Sequence, residues 1–130
     1  MVGDPIGDYL TRLRNAIEKK QDVVSIPSTR MIVRISEILK EQGFIESFEV
    51  EDTVPQKTLN VTLRYVNGES AIRELVRVSK PGIRKYRGYK EIKPIMRGMG
   101  VAIYSTPNGV VTDKAAIQSK VGGEYICYIF

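Results

Sequence analysis

Apolar residues at Ile6, Leu10, Leu13 and Ile17 recur at helical spacing and predict a first helix with one buried stripe. Asp4-Pro5 starts it, because Asp4 accepts from a free backbone N–H and Pro5 takes the first helical position, where no N–H is needed. Lys19 and Lys20 suit its C-terminus. The β-branched run Val23-Val24-Ser25-Ile26 reads as a short strand that Pro27 ends. Ser28 is the N-cap candidate of a second helix, whose apolar face is Met31, Ile32, Ile35, Ile38 and Leu39 and whose stop is Gly43. Residues 44–50 and 58–65 predict two strands, the latter alternating through Leu59, Val61, Leu63 and Tyr65, with a loop over 51–57 that contains Pro55. The N-terminal half is thus α-β-α-β-β, a compact sheet with helices on one side.

Beyond Asn67-Gly68, a turn signal, the pattern is less regular. Periodicity over 72–78 fits helix or strand; Val76 and Val78, followed by Ser79-Lys80-Pro81-Gly82, favour a strand and turn. Residues 92–96 predict a short turn of helix limited by Pro94 and closed by Gly98 and Gly100. Two strand-like runs, 101–104 and 110–111, flank the stretch Ser105-Thr106-Pro107-Asn108-Gly109 and predict a hairpin. Pro107 presets its φ, Asn108 tolerates the left-handed region, and Gly109 enters it without a Cβ penalty. Thr112 and Asp113 are cap candidates for a short helix holding Ala115, Ala116 and Ile117. Gly122-Gly123 leads into a last strand over 124–130, in which Cys127 reads as a small buried hydrophobe. The fold class is α+β: two small α/β subdomains packed together, residues 1–66 and 67–130, the second mostly β with short helices.

Charge sharpens the second half. Residues 1–66 hold nine Lys and Arg against ten Asp and Glu, whereas residues 67–130 hold eleven against five, which is why the boundary is placed at Asn67-Gly68. The excess concentrates in residues 73–97, where nine basic side chains face only Glu74 and Glu91. Such a segment attracts a polyanion and releases its counterions on binding. The chain has no histidine and a single cysteine, which excludes an internal disulfide, histidine-based nucleophile systems and multi-cysteine metal sites. No apolar run approaches the roughly 20 residues of a membrane span, and Met1-Val2-Gly3-Asp4-Pro5 lacks a signal-peptide core. The expectation is a chain that stays where it is made, with no membrane partner and no cofactor.

The hairpin tip offers Ser105 Oγ, Thr106 Oγ1 and backbone N–H groups. Taken alone it is a solvated turn or a reader of 2′-hydroxyls and phosphates in an RNA groove. Tyr86, interleaved with Arg84, Lys85 and Arg87, is either a stacking residue for exposed nucleotides or a tyrosine packed on an edge strand. Arg12 and Arg14 lie off the first helix's apolar stripe, as a solvated face or as phosphate contacts.

Asp4-Pro5-Ile6, Leu10-Thr11-Arg12-Leu13-Arg14-Asn15, Ile26-Pro27-Ser28, Gly43-Phe44-Ile45, Arg77-Val78-Ser79-Lys80-Pro81-Gly82, Ser105-Thr106-Pro107-Asn108-Gly109-Val110, Thr112-Asp113 and Gly122-Gly123-Glu124 occur in one order and spacing. Over essentially its whole length the chain resembles the small ribosomal subunit protein eight (S-eight) family, of bacterial or organellar type. The resemblance implies a ribonucleoprotein component that binds the central domain of small-subunit ribosomal RNA during assembly, beside neighbouring small-subunit ribosomal proteins. The ribosome would be cytoplasmic or organellar. The recognised element is an irregular RNA helix, and some members also bind a similar element in their own operon's messenger RNA as translational repressors. The implied RNA-binding residues are the tip (Ser105, Thr106, Pro107, Asn108, Gly109), Tyr86 with Arg84 and Lys85, and Gly123 with Glu124. Arg12, Ser28 and Arg30 would make secondary backbone contacts. The family's tip is commonly Ser-Thr-Ser-Lys-Gly, so Pro107 and Asn108 leave one hydroxyl and one charge fewer.

Glu124 would face an anion. It makes sense as an acceptor for a base amino group or 2′-hydroxyl, or as an anchor that orients a neighbouring Tyr or Lys. The rival from another class is a phosphate-handling enzyme at the 105–113 turn with Asp113 as base. No phosphate-binding glycine motif, metal-ligand cluster or histidine supports it, and the sequence reads as a non-enzyme. A protein–protein adaptor leaves the basic segment unexplained.

Overall fold

The structure is a computed structural model that describes residues 4–52 and 54–130; Met1-Val2-Gly3, part of the leader reading, and Thr53 of the expected 51–57 loop lie outside the described residues. The protein is α+β and divides into two compact units, Met1–Arg73 and Glu74–Phe130. No helix among the described residues is long and apolar enough to cross a membrane.

In the first unit Asp4 caps α1 (Pro5–Glu18), accepting from the Gly7 N–H at 3.1 Å. The buried stripe of α1 is Tyr9, Leu10, Leu13 and Ala16, rotated from the expected one, with Ile6 and Ile17 only half-buried at its margins. A tyrosine can hold the centre because its hydroxyl has a partner. Tyr9 Oη lies 2.6 Å from Ser36 Oγ, and Ser36 in turn donates to the Ile32 carbonyl at 2.9 Å. Strand β1 (Val23–Pro27) leads to α2 (Arg30–Glu41), whose N-cap is Thr29 rather than Ser28. Thr29 Oγ1 accepts from the Ile32 N–H at 3.2 Å, three residues on, which Ser28 stands one residue too early to do. Gly43, with φ of 82°, follows the C-cap Gln42 as expected.

Strands β2 (Ile45–Glu51) and β3 (Thr58–Leu63) complete an antiparallel sheet in the order β1-β3-β2. Val24, Ile26, Leu59, Val61 and Leu63 alternate inward, α1 lies against β1 and α2 against β2. The expected continuation to Tyr65 fails. The chain leaves the sheet at Arg64, whose guanidinium donates to the Gly43 carbonyl at 3.1 Å, and Tyr65 turns its hydroxyl to the Gln21 carbonyl at 2.6 Å. Tyr65 instead opens a small hairpin of β4 (Tyr65–Val66) and β5 (Glu69–Ser70). Asn67 and Gly68, with φ of 53° and 80°, form its turn. That turn lies inside the first unit, and the structural division comes only after Arg73.

The second unit is built around β10 (Gly123–Ile129). Strand β8 (Val101–Thr106) pairs along one side of it; β6 (Leu75–Arg77) and β7 (Tyr86–Arg87) pair with its two halves on the other. Strand β9 (Gly109–Thr112) closes the β8 hairpin. The helical turn expected over 92–96 is absent. Ile92 and Ile95 are extended, with ψ of 127° and 128°, and short 3₁₀ turns form on either side at Tyr89–Glu91 and Met96–Gly98. Lys93 precedes Pro94, and the proline ring disfavours helical backbone in the residue before it. Helix α3 (Asp113–Ser119) is capped by Thr112, which accepts from the Ala115 N–H at 3.1 Å. Ala116 of α3 packs with Ile92, Ala102 and Tyr104 on one face of the sheet.

Candidate nucleic-acid interface

Strand register decides which of the expected site residues meet. Tyr86 of β7 pairs with Glu124 of β10, Glu124 pairs with Ser105 of β8, and Ser105 pairs with Val110 of β9. Cross-strand partners share a face of the sheet, so Tyr86, Glu124 and Ser105 stand in one row spanning roughly 10 Å. Tyr86 is 65% exposed at the end of that row. The Ser105 hydroxyl has no protein partner among the described residues and is open to a ligand.

Two glycines let these strands approach. A Cβ on Gly123 would run into the Ser105 carbonyl oxygen, and one on Gly122 into the Arg87 carbonyl oxygen. Only glycine fits such contacts with backbone. Gly123 therefore shapes the row without offering a side chain to it.

At the tip only Pro107 and Asn108 separate Thr106 from its partner Gly109. Gly109 takes the positive φ, 102°, and Asn108 does not. The Thr106 hydroxyl is engaged within the turn: it donates to the Gly109 carbonyl at 2.8 Å and accepts from the Asn108 N–H at 3.1 Å. A hydroxyl has one proton and two lone pairs, so Thr106 Oγ1 retains one acceptor position for a ligand. Pro107, Asn108 and Gly109 are exposed.

Arg84 Nη1 lies 3.0 Å from Glu124 Oε2, so the carboxylate anchors an arginine rather than a tyrosine or lysine. Glu124 is the more buried partner, at 18% side-chain exposure against 48% for Arg84. Lys85 is held through its backbone. Ser79 Oγ accepts from the Lys85 N–H at 2.8 Å and donates to the Lys85 carbonyl at 3.1 Å, and that carbonyl also accepts from the Tyr125 N–H at 2.9 Å. Ser79 itself is fully buried. One serine thus lashes the basic loop to β10, and nothing in the sequence but its place before Lys80-Pro81-Gly82 marks it.

In the first unit Ser28, Arg30 and Lys57 line a common groove of about 590 Å³. Arg12 lies in a different groove, which Lys57 also lines. Its guanidinium pairs with Asp8 at 3.0 Å and donates to the Ser25 carbonyl at 3.2 Å. Lys57 is the cation that periodicity alone did not single out. Asp113, the base in the enzyme reading, is buried at the start of α3, and its Oδ1 accepts from the Ala102 N–H at 3.4 Å. It stands at the base of the hairpin, away from the tip.

Sequence reasoning also passed over Tyr104 and Tyr125. They pair one row further along β8 and β10 than Ser105 and Glu124, hence on the opposite face, and their rings stack with centroids 4.7 Å apart. Burial pushes the Tyr104 phenol up to about 12, against the pull of Arg87, and pushes the Tyr125 phenol up as well. Alternation within two paired strands was the signal that could have found them.

A family model described as ribosomal protein S8 matches residues 4–130. The chain is 48% identical over 129 residues to the small ribosomal subunit protein uS8 of Parabacteroides distasonis, covering 98% of each chain. It is 48% identical, with the same coverage, to that of Bacteroides thetaiotaomicron. To the protein of the same name from Burkholderia mallei it is 48% identical over 128 residues, again covering 98% of each. The chain belongs to the ribosomal protein S8 family.

Proposed function

We propose that this protein is a structural constituent of the small ribosomal subunit that binds the central domain of small-subunit ribosomal RNA and aids its assembly. Family membership and the names of its relatives support the ribosomal role. The observation that carries the RNA-reading role is the row Tyr86, Glu124 and Ser105, set beside a rigid turn in the unit that holds the basic segment.

The row suits the shallow minor groove of an irregular RNA helix, where 2′-hydroxyls and base edges are displayed. Ser105 Oγ both donates and accepts. Glu124 Oε1 accepts from a 2′-hydroxyl or a base amino group while Oε2 holds Arg84. Exposed Tyr86 supplies a ring face for an unstacked base. Lys85 and, in the first unit, Arg30 and Lys57 position phosphates, which gives affinity without sequence information, while Arg84 is held by Glu124.

Hydroxyl-radical footprinting on the cell's own small-subunit ribosomal RNA tests this. The expected result is protection confined to one irregular helix of the central domain, requiring about tenfold more protein in Ser105→Ala. Protection spread along all duplex regions would overturn specific reading.

A further inference from the structure

The face of the second sheet opposite the Ser105 row carries a groove of about 550 Å³ whose polar lining is Arg87, Lys90, Glu91, Lys93, Tyr104 and Tyr125. Tyr104 is only 1% exposed, yet its hydroxyl has no protein partner among the described residues, and neither has that of Tyr125. No Tyr104 atom is both fully buried and unsatisfied, so the ring is buried while the hydroxyl opens into the groove it lines. A polar group held this deep in a protein ordinarily has a partner. Here the partner is whatever fills the groove, water or a ligand.

The lining specifies that partner's chemistry. Arg87, Lys90 and Lys93 are donors only, and none of them forms an ion pair among the described residues. The Tyr104 and Tyr125 hydroxyls are protonated at neutral pH, as ordinary phenols are, and each can donate as well as accept. The one acidic side chain, Glu91, accepts from the Gly88 N–H at 3.0 Å through one of its two oxygens. Three cations against one carboxylate leave the groove a surplus of positive charge, which favours an anion. Three cations spread along it suit a ligand with charge at more than one point, as the successive phosphates of a nucleic acid strand provide.

We propose that this groove is a second phosphate-binding site, distinct from the Tyr86–Glu124–Ser105 row, that holds the backbone of an RNA segment passing along the opposite face of the sheet. It rests on the RNA-binding reading above. Tyr104 and Tyr125 donate to phosphate oxygens at the floor, and Arg87, Lys90 and Lys93 neutralise the charge at the rim.

The test labels the tyrosines of the full chain with ¹³C at Cζ, assigns Tyr104 and Tyr125 through Tyr104→Phe and Tyr125→Phe, and titrates with central-domain ribosomal RNA, pyrophosphate or polyglutamate. RNA is expected to shift both resonances. Tyr104→Phe, which keeps the ring packing, should weaken RNA binding about threefold to tenfold. Lys90→Ala with Lys93→Ala should lower the slope of log K against log salt by about one to two. Ser105→Ala should leave the tyrosine shifts in place at saturating RNA. RNA that binds through the Ser105 row while neither tyrosine moves overturns the groove alone, and RNA that engages neither face overturns both readings. A response to pyrophosphate or polyglutamate without one to RNA overturns the RNA assignment.

Discussion

Ser105 and Thr106 are adjacent hydroxyls with different work. Ser105 Oγ is free, whereas Thr106 Oγ1 already closes the turn through Asn108 and Gly109. Ser105→Ala should therefore weaken specific RNA binding about tenfold with no change in stability, since it removes one ligand bond of ordinary strength. Thr106→Ala should weaken binding too, but with faster amide exchange at Asn108, and Thr106→Ser should restore both. Affinity titration beside hydrogen exchange separates the two. Equal exchange in wild type and Thr106→Ala would show that the hydroxyl does not hold the turn. Ser79 illustrates the limit of reading such residues from a sequence. Its importance lies in being buried between Lys85 and β10, six residues from its partner along the chain, and no local pattern reports that.

Elements were legible where their signals are local. The N-cap of α1, the apolar face of α2 and its stop at Gly43, the alternation of β3 and the 105–109 turn all rest on contacts within a few residues, and the hairpin forms where its residues place it. The misses have longer-range causes. Tyr9 enters the core because Ser36 on another helix satisfies it, and β3 stops at Leu63 because Arg64 and Tyr65 find carbonyls on distant segments. The site was half legible for the same reason. The tip, Tyr86 and Glu124 could be named, but register alone aligned them, and the ion pair that ties β10 to the basic loop was not foreseen. That pair sets a prediction. Glu124→Gln releases Arg84 and removes a negative charge from the row, so binding to unrelated duplexes should strengthen while the preference for the cognate element falls. The salt slope should steepen by about one, as one more cation becomes free to contact phosphate. Filter binding across a salt series on both RNAs checks this; an unchanged slope would mean that Arg84 stays out of reach of phosphate.

For the whole molecule, the buried titratable groups shape stability at high pH. Cys127 is fully buried, and its thiol is pushed from 9.0 up to about 12, while Tyr104 is pushed from 10.0 up to about 12. In both cases burial favours the protonated form. Above about pH 9 the unfolded chain loses these protons while the folded one keeps them, so the unfolded state binds fewer protons and stability falls as pH rises toward 12. The urea midpoint should drop between about pH 8 and about pH 10.5, and Cys127→Ala should remove the part of the fall that begins near 9. A midpoint that holds steady over this range would contradict the burial of both groups.

The position of β10 as the spine of the second unit also sets a timetable. The strands of the first unit have all been made by residue 70, so its sheet can close while the rest of the chain is still being synthesised. The edge strands β6 and β7 and the basic loop between them have no partner until Gly123–Ile129 has been added. For the few seconds this takes at ordinary elongation rates, the most cationic stretch of the chain lacks its strand partner. On the RNA-reading role proposed above, a nascent chain in that state would hold polyanions by charge alone, and discrimination among them would arrive all at once, when the last strand docks.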